Sequence, residues 1–194
     1  ILDIFEVSNG VAVVGSNTWA VLQARQVLNV SWSKGESPDL DSEMITKLIN
    51  DMADKKGATG KKEGNPERAL KKADKVINAV YEVPYQAHAA MEPVNCVVDI
   101  KPDFCRIWAP TQNPSQAHKQ AAKITGLPKD KIEIHVPFLG GSFGRKSFND
   151  FIDDGLEVAK KMKKPVKLIW KREDDTRHGY YRPTSKHILS GGLD

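Results

Sequence analysis

Residues 139–147 read Leu-Gly-Gly-Ser-Phe-Gly-Arg-Lys-Ser, and this stretch joins two segments of different periodicity. Before it, from Lys131 to Phe138, Ile132, Ile134 and Val136 alternate with Glu133 and His135, the two-residue period of a strand. After it Phe148, Phe151, Ile152, Leu156, Ala159 and Met162 recur every three or four residues. Asp150, Asp153 and Asp154 come early and Lys160, Lys161, Lys163 and Lys164 late, as a helix dipole favours. A glycine-rich turn from strand to helix restricts the chain to folds that mix the two. Gly140, Gly141 and Gly144 allow positive φ angles and let a ligand approach bare backbone N–H groups. At a helix start such a loop suits a phosphate or another anion; a tight turn without a ligand fits the same residues.

The other segments support a mixed fold. Ile1 to Glu6, an Asn9-Gly10 turn and Val11 to Val14 predict a hairpin. Asn17 caps a helix with a broad buried face (Trp19, Val21, Leu22, Ala24, Val27, Leu28), and Val30 to Trp32 reads as a strand, giving a β-α-β unit over 1–33, the tail of a preceding domain. A linker over Ser33 to Asp41 leads to a helix from Ser42 to about Lys55, carried by Met44, Ile45, Leu48, Ile49 and Met52. Lys56 to Asn65 reads as a mobile loop, and Pro66 to Lys72 as a short helix capped by Asn65, so 34–73 is a region of linker and short helices. From Asp74 strands dominate: Val76 to Val83, Val94 to Ile100 and Phe104 to Ala109. A helix follows with Asn113 as cap, Pro114 first, Gln116 in capping-box position and Gly126 as its stop. Val166 to Trp170 predicts a buried strand, Lys171 to Arg177 a charged turn, and His187 to Ser190 a last strand. The class is therefore α+β with α/β-like alternation: mixed sheet layers covered by helices.

Composition removes several functions. Lys and Arg number 29 against 25 acids, a net charge of +4, so the lysine clusters read as solvated faces rather than a nucleic-acid footprint. No apolar run approaches the roughly 18 residues of a membrane span, and no signal peptide is visible. Cys96 and Cys105 sit on neighbouring strands; a turn at Lys101-Pro102-Asp103-Phe104 sets Ile100 opposite Cys105, so the thiols are expected to be free. Gly140 to Ser147 approaches a P-loop, but Arg145 stands where the second glycine belongs. Lys171, not a magnesium-binding Asp, follows the next strand, which argues against a nucleotide triphosphatase. The opening Ile1-Leu2-Asp3-Ile4 and the close at Gly191-Gly192-Leu193-Asp194 suggest a piece of a larger protein.

Besides the glycine loop, chemistry could lie in His88-Ala89-Ala90-Met91-Glu92-Pro93, in Thr111-Gln112-Asn113-Pro114, and in Arg177-His178-Gly179-Tyr180-Tyr181-Arg182-Pro183. His88 and Glu92 could equally pair with each other or with backbone. The helix cap explains Asn113 and Pro114 but not Gln112, whose amide can donate or accept. The aromatic and basic loop could be a pocket wall or an interface.

His88-x-x-Met91-Glu92-Pro93, Thr111-Gln112-Asn113-Pro114 and Gly140-Gly141-Ser142-Phe143-Gly144-Arg145, in this order and spacing, resemble the molybdenum-binding subunit of the xanthine dehydrogenase and aldehyde oxidase family. The Arg177 to Pro183 segment and Gly144-Arg145-Lys146 narrow this to the isoquinoline 1-oxidoreductase beta-subunit branch. The family's subunit is several times longer, so the resemblance implies an internal fragment, with 74–194 part of the molybdenum-cofactor-binding domain. It places Gly140, Gly141, Phe143 and Gly144 against the pterin dithiolene, Arg145 beside the anionic cofactor, and Gln112 on the apical oxo ligand of the metal. His88, Glu92, Ser147, Tyr180 and Tyr181 become substrate-pocket candidates. Ser147 stands where xanthine dehydrogenases carry a substrate-binding glutamate, which favours a less polar ring than a purine.

The implied cofactor is molybdenum-molybdopterin in its cytosine dinucleotide form. The implied partners are the rest of the large subunit, a small [2Fe–2S] subunit and a small-molecule substrate. The reaction would be hydroxylation of an N-heteroaromatic or an aldehyde with oxygen from water. The family's catalytic glutamate has no counterpart here, so no catalytic residue and no direct metal ligand is assigned, and the fragment alone is expected to be inactive. The competing reading is a non-catalytic docking or assembly domain of a larger redox complex. The compartment stays open between periplasmic, membrane-associated relatives and the cytoplasm.

Overall fold

The computed structural model describes residues 1–8, 10–33, 35 and 39–194. The Asn9 half of the expected Asn9-Gly10 turn, and residues 34 and 36–38 of the expected linker, lie outside the described residues. The chain divides into two units. One comprises Ile1–Val30 and Ala87–Tyr181, the other Ser31–Gln86 and Arg182–Asp194. Both are discontinuous in sequence, which sequential boundaries at 33 and 73 do not anticipate.

The first unit begins with a hairpin of β1 (Asp3–Val7) and β2 (Gly10–Val14), then α1 (Thr18–Gln26). Asn17 caps α1 as expected, its Oδ1 accepting from Ala20 N at 2.9 Å. The broad buried face does not form: no residue of α1 is fully buried and Trp19 is 71% exposed, because apolar residues lie around the helix and only one side can meet β2. Val30 to Trp32 forms neither strand nor helix, so the opening is β-β-α rather than β-α-β.

In the second unit α2 (Ser42–Ala53), capped by Asp41, and α3 (Pro66–Lys72), capped by Asn65, precede β3 (Lys75–Val83). Lys56 to Asn65 between them is exposed throughout and has no regular structure. The two-residue strands β4 (Gln86–Ala87) and β9 (Tyr181–Arg182) lie where the chain passes between units. Expected as His187 to Ser190, the last strand is longer: β10 (Ser185–Leu193) pairs antiparallel with β3 from Ser185↔Val83 to Leu193↔Lys75.

The main sheet of the first unit has the order β7-β6-β5-β8: β7 (Ile132–His135), β6 (Cys105–Trp108), β5 (Asn95–Ile100) and β8 (Val166–Ile169). β6 and β7 are parallel and the other pairings antiparallel, so the sheet is mixed as expected. The turn after Ile100 sets the register read from sequence, with Ile100 opposite Cys105 and Lys101 N donating to Phe104 O at 2.8 Å. The helices α4 (Pro114–Thr125) and α5 (Asp150–Met162) cover one face. Cys96, Val98, Cys105, Ile107 and Ile132 point into that face and pack with Ala117, Ala121, Phe151, Ile152 and Leu156. Arg106, Trp108, Glu133 and His135 occupy the alternate positions, as a half-buried sheet requires. Gly155 lets α5 approach β5, since a Cβ there would lie 2.5 Å from Cys96 Sγ. Both cysteines are buried and free, and burial pushes the Cys105 thiol up to about 11.

Three local expectations change. β7 stops at His135 rather than Phe138, since Pro137 brings no N–H to a ladder and Phe138 stays fully exposed. The helix α5 starts at Asp150, leaving Phe148 outside it and stacked on Tyr180 at 4.1 Å between ring centroids. The charged turn Lys171 to Arg177 is instead α6 (Arg172–His178). Asp174 Oδ2 accepts from Lys171 N at 2.9 Å, and acids in the first turn face Arg177 and His178 in the last, a charge pattern that favours the helix.

Candidate functional site

The loop between β7 and α5 takes positive φ at Gly141 (91°), Phe143 (57°) and Gly144 (104°). Phe143, which is not glycine, lies in that region too and leaves its ring 71% exposed. Arg145 N donates to Ser142 O at 3.0 Å, and a short 3-10 turn over Arg145–Ser147 carries the chain to Asn149, which precedes α5. The glycine loop is therefore separated from the helix by this turn, and the first turn of α5 carries Asp150 and Asp153. Among the described residues no acceptor engages the backbone N–H groups of Gly141, Ser142, Phe143 and Gly144. Successive bare N–H groups on a backbone with such φ angles can bind an anion without help from a helix dipole.

The His88 to Pro93 segment is fastened to this loop. Glu92 N donates to Gly140 O at 3.0 Å and Gly140 N to Glu92 Oε2 at 3.0 Å. A Cβ on Gly140 would sit 2.5 Å from Glu92 Cβ, so only glycine fits this clasp. Lys146 is wholly buried and its Nζ lies 2.5 Å from the same Glu92 Oε2. Burial acts to raise the Glu92 pKa, but hydrogen bonds from Lys146, the Gly140 amide and Asn95 outweigh it and hold the carboxyl below its ordinary range. Glu92 is thus an anchor of the loop rather than a free pocket group. His88, half-buried, has Nδ1 3.1 Å from Tyr180 O, and its Nε2 would be 3.4 Å from a Cβ at Gly144.

Gln112, at the junction of β6 and α4, is exposed and tied to the loop at both ends. Its backbone N donates to Lys146 O at 2.9 Å. Its Oε1 accepts from the Ser142 hydroxyl, and Ser147 Oγ lies 3.3 Å away. The Thr111 hydroxyl, buried beside it, donates to Asn149 Oδ1 at 2.7 Å, and Asn149 Nδ2 donates to Asn113 O at 3.1 Å. Strand β6, helix α4, the loop and the start of α5 therefore meet through a buried polar network around residues 111–113.

Arg145 is buried. Its guanidinium is 2% exposed, makes two 2.8 Å hydrogen bonds to Asp150, and has Nε 3.3 Å from Asp175. Arg172 in turn pairs with Asp175 at 3.0 Å and caps the carbonyls of Ala90 and Met91. Two arginines and two aspartates thus fix the loop, α6 and the His88 segment to one another, and the Arg145 charge is spent inside the protein. Arg145, expected beside an anionic cofactor, thus has its guanidinium paired with the acids Asp150 and Asp175. Tyr180 stacks on Phe148, while Tyr181 donates to Thr176 O at 2.7 Å. The structure brings Gln112, Gly140, Gly141, Phe143, Gly144, Ser147, His88, Glu92 and Tyr180 into one region. Ser142, Lys146, Asn149, Asp150 and Asp175 join them structurally although sequence gave them no site role; the short polar spacing Ser142, Lys146, Asn149 was the available signal.

A family model described as a molybdopterin cofactor-binding domain matches residues 49–193. The chain is 32% identical to the isoquinoline 1-oxidoreductase beta subunit of Brevundimonas diminuta, over 92% of this chain and 24% of that relative. It is 33% identical to a xanthine dehydrogenase of Emericella nidulans, over 62% of this chain and 10% of the relative. The chain therefore spans a quarter or less of the length of these relatives. Among solved structures, quinoline 2-oxidoreductase from Pseudomonas putida 86 is similar with a TM-score of 0.57 at 19% identity, covering 67% of this chain and 17% of that one, a likeness of fold.

Proposed function

The chain belongs to the molybdopterin cofactor-binding domains of the xanthine dehydrogenase and aldehyde oxidase family, and from that premise we propose that its glycine loop and Gln112 cradle the molybdenum-molybdopterin cofactor of a hydroxylase. The carrying observation is the run of bare N–H groups from Gly141 to Gly144, beside a Gln112 amide nitrogen that has no acceptor among the described residues. Both features suit an anionic, oxygen-rich and sulfur-rich group. Gly140, Gly141, Phe143 and Gly144 hold the backbone open toward that group, and Gln112 donates to it. Arg145 acts from behind as a strut on the loop.

When bound, the cofactor supplies two-electron oxidation of an electron-poor carbon with oxygen drawn from water. The residues here bind and orient. Ser147, His88, Tyr180 and the exposed Phe143 give a rim with aromatic and weakly polar character, which favours a flat N-heteroaromatic, isoquinoline-like substrate, with aldehydes as the alternative. The cytosine dinucleotide form of the cofactor and a small [2Fe–2S] subunit as electron acceptor complete the proposal.

The test is metal and nucleotide content of the subunit that contains this chain, co-expressed with its [2Fe–2S] partner in a molybdenum-replete host. The expected result is about one molybdenum and one CMP per chain, a one-to-one stoichiometry set by a single cradle. A folded protein that holds neither would replace this reading with a docking or assembly domain.

A further inference from the structure

We propose that Ser142 and Ser147 are positioning residues that lock the side-chain amide of Gln112, with its carbonyl oxygen committed to the loop and its NH2 left free to donate. The polarity follows from a closed circuit of hydrogen bonds. Gln112 N donates to Lys146 O at 2.9 Å, Lys146 N donates to Ser142 Oγ at 2.9 Å, and the Ser142 hydroxyl reaches the Gln112 side chain. A backbone N–H can only donate, so Ser142 Oγ is already an acceptor. The hydroxyl proton is what remains to satisfy, and it must meet an acceptor. Oε1 of Gln112 is that acceptor, with Ser147 Oγ as a second hydroxyl at 3.3 Å.

The reversed amide would set NH2 against both hydroxyls and strand the Ser142 proton. Ser142 is only 5% exposed, so water does not readily take that proton. Lys146 keeps the circuit in place: its backbone N–H and C=O both belong to it, and its side chain is pinned by Glu92. The free donor of Gln112 and the bare amides of the loop are thereby parts of one rigid patch. The inference rests on the cofactor reading only for what that donor meets.

The test replaces the amide by a group that can only accept. In the 194-residue chain, Gln112→Glu with a 13C-labelled side-chain carboxyl is titrated by NMR. The introduced carboxylate is expected to have a pKa below the ordinary glutamate value of about 4.3, because two hydroxyls donate to it. Ser142→Ala in the same background is expected to raise that pKa by about one unit, the size of a lost charge-assisted hydrogen bond. The Lys146 charge is common to both proteins and cancels in the difference. A carboxylate at or above the ordinary value, unmoved by Ser142→Ala, overturns the proposal. If Ser142→Ala does not fold, Ser147→Ala at the exposed hydroxyl gives the same comparison, with a smaller rise expected and no rise overturning it. These titrations need no cofactor, so a subunit found empty of molybdenum would count against the cofactor reading and leave this result standing.

Discussion

A single carboxylate, Glu92, holds the glycine loop through Gly140 N and Lys146 Nζ, and accepts a third hydrogen bond from Asn95 Nδ2 at the start of β5. Lys146 has no exposure at all, so a neutral partner leaves a buried ammonium without a counter-charge. Glu92→Gln is therefore expected to destabilise the chain by about 3–5 kcal/mol in equilibrium denaturation. The sign with pH follows from the lowered carboxyl. Its contribution is complete above the ordinary glutamate range and is lost as pH falls through the depressed folded-state value, so Glu92→Gln should flatten the acid side of the stability profile. A loss smaller than 1 kcal/mol, the scale of an exposed pair, would show that the clasp is only a surface contact. The glycines and Gln112 were legible in sequence because their residue types announce backbone freedom and an amide with no local task. The Glu92–Lys146 pair was not, since the two lie 54 positions apart and their meeting depends on how the His88 turn and the loop dock. The surroundings of Arg145 were hidden for a similar reason: nothing in a basic residue of a glycine loop announces that Asp150 and Asp175 will gather around it.

At the scale of elements, α5 follows the glycine loop and fills the core, and it carries one acid, Asp153, that titrates unusually. Burial first, then the neighbouring charges of Asp154, Asp150 and Glu157, push Asp153 up to about 7. Gln120 donates to its Oδ2 at 2.9 Å, while Oδ1 is buried without a partner. The folded chain therefore binds a proton at Asp153 more tightly than the unfolded chain does. Stability from this group is greatest at low pH and falls as pH rises from about 4, the unfolded value, through about 7. Asp153→Asn is expected to remove that fall and to stabilise the chain above neutrality by roughly 1 kcal/mol after allowance for solvent screening, read from melting curves at several pH values. No gain at pH 8 would contradict it. Most elements were legible because their caps are explicit, as at Asn17, Asn65 and Asn113, and because strand alternation marks one buried face. The helix α6 escaped notice because charged residues without an apolar stripe look like a turn, and its helix is favoured by acids and bases placed at opposite ends.

At the scale of the whole chain, two discontinuous units carry different burdens: the first holds the core sheet and the candidate site, the second the β3–β10 ladder with its helices. Sequence cannot easily reveal such interleaving, since β3 and β10 pair residue for residue across the whole of the intervening first-unit segment from Ala87 to Tyr181. The exposed stretch from Lys56 to Asn65 belongs to the second unit and has no ladder or helix to protect it. Trypsin should cut first at Lys61 or Lys62, leaving the loop unit uncut at early times, as mass spectrometry of the fragments would show. First cleavage within Ala87–Tyr181 would contradict this. The division also sets a timetable for synthesis. A nascent chain that has emerged as far as Tyr181 already possesses the residues of the unit that holds the glycine loop, whereas β3, made some hundred residues earlier, still waits for its ladder partner β10. During that interval β3 is an apolar strand without its ladder partner, and it is a stretch a chaperone would have reason to shield.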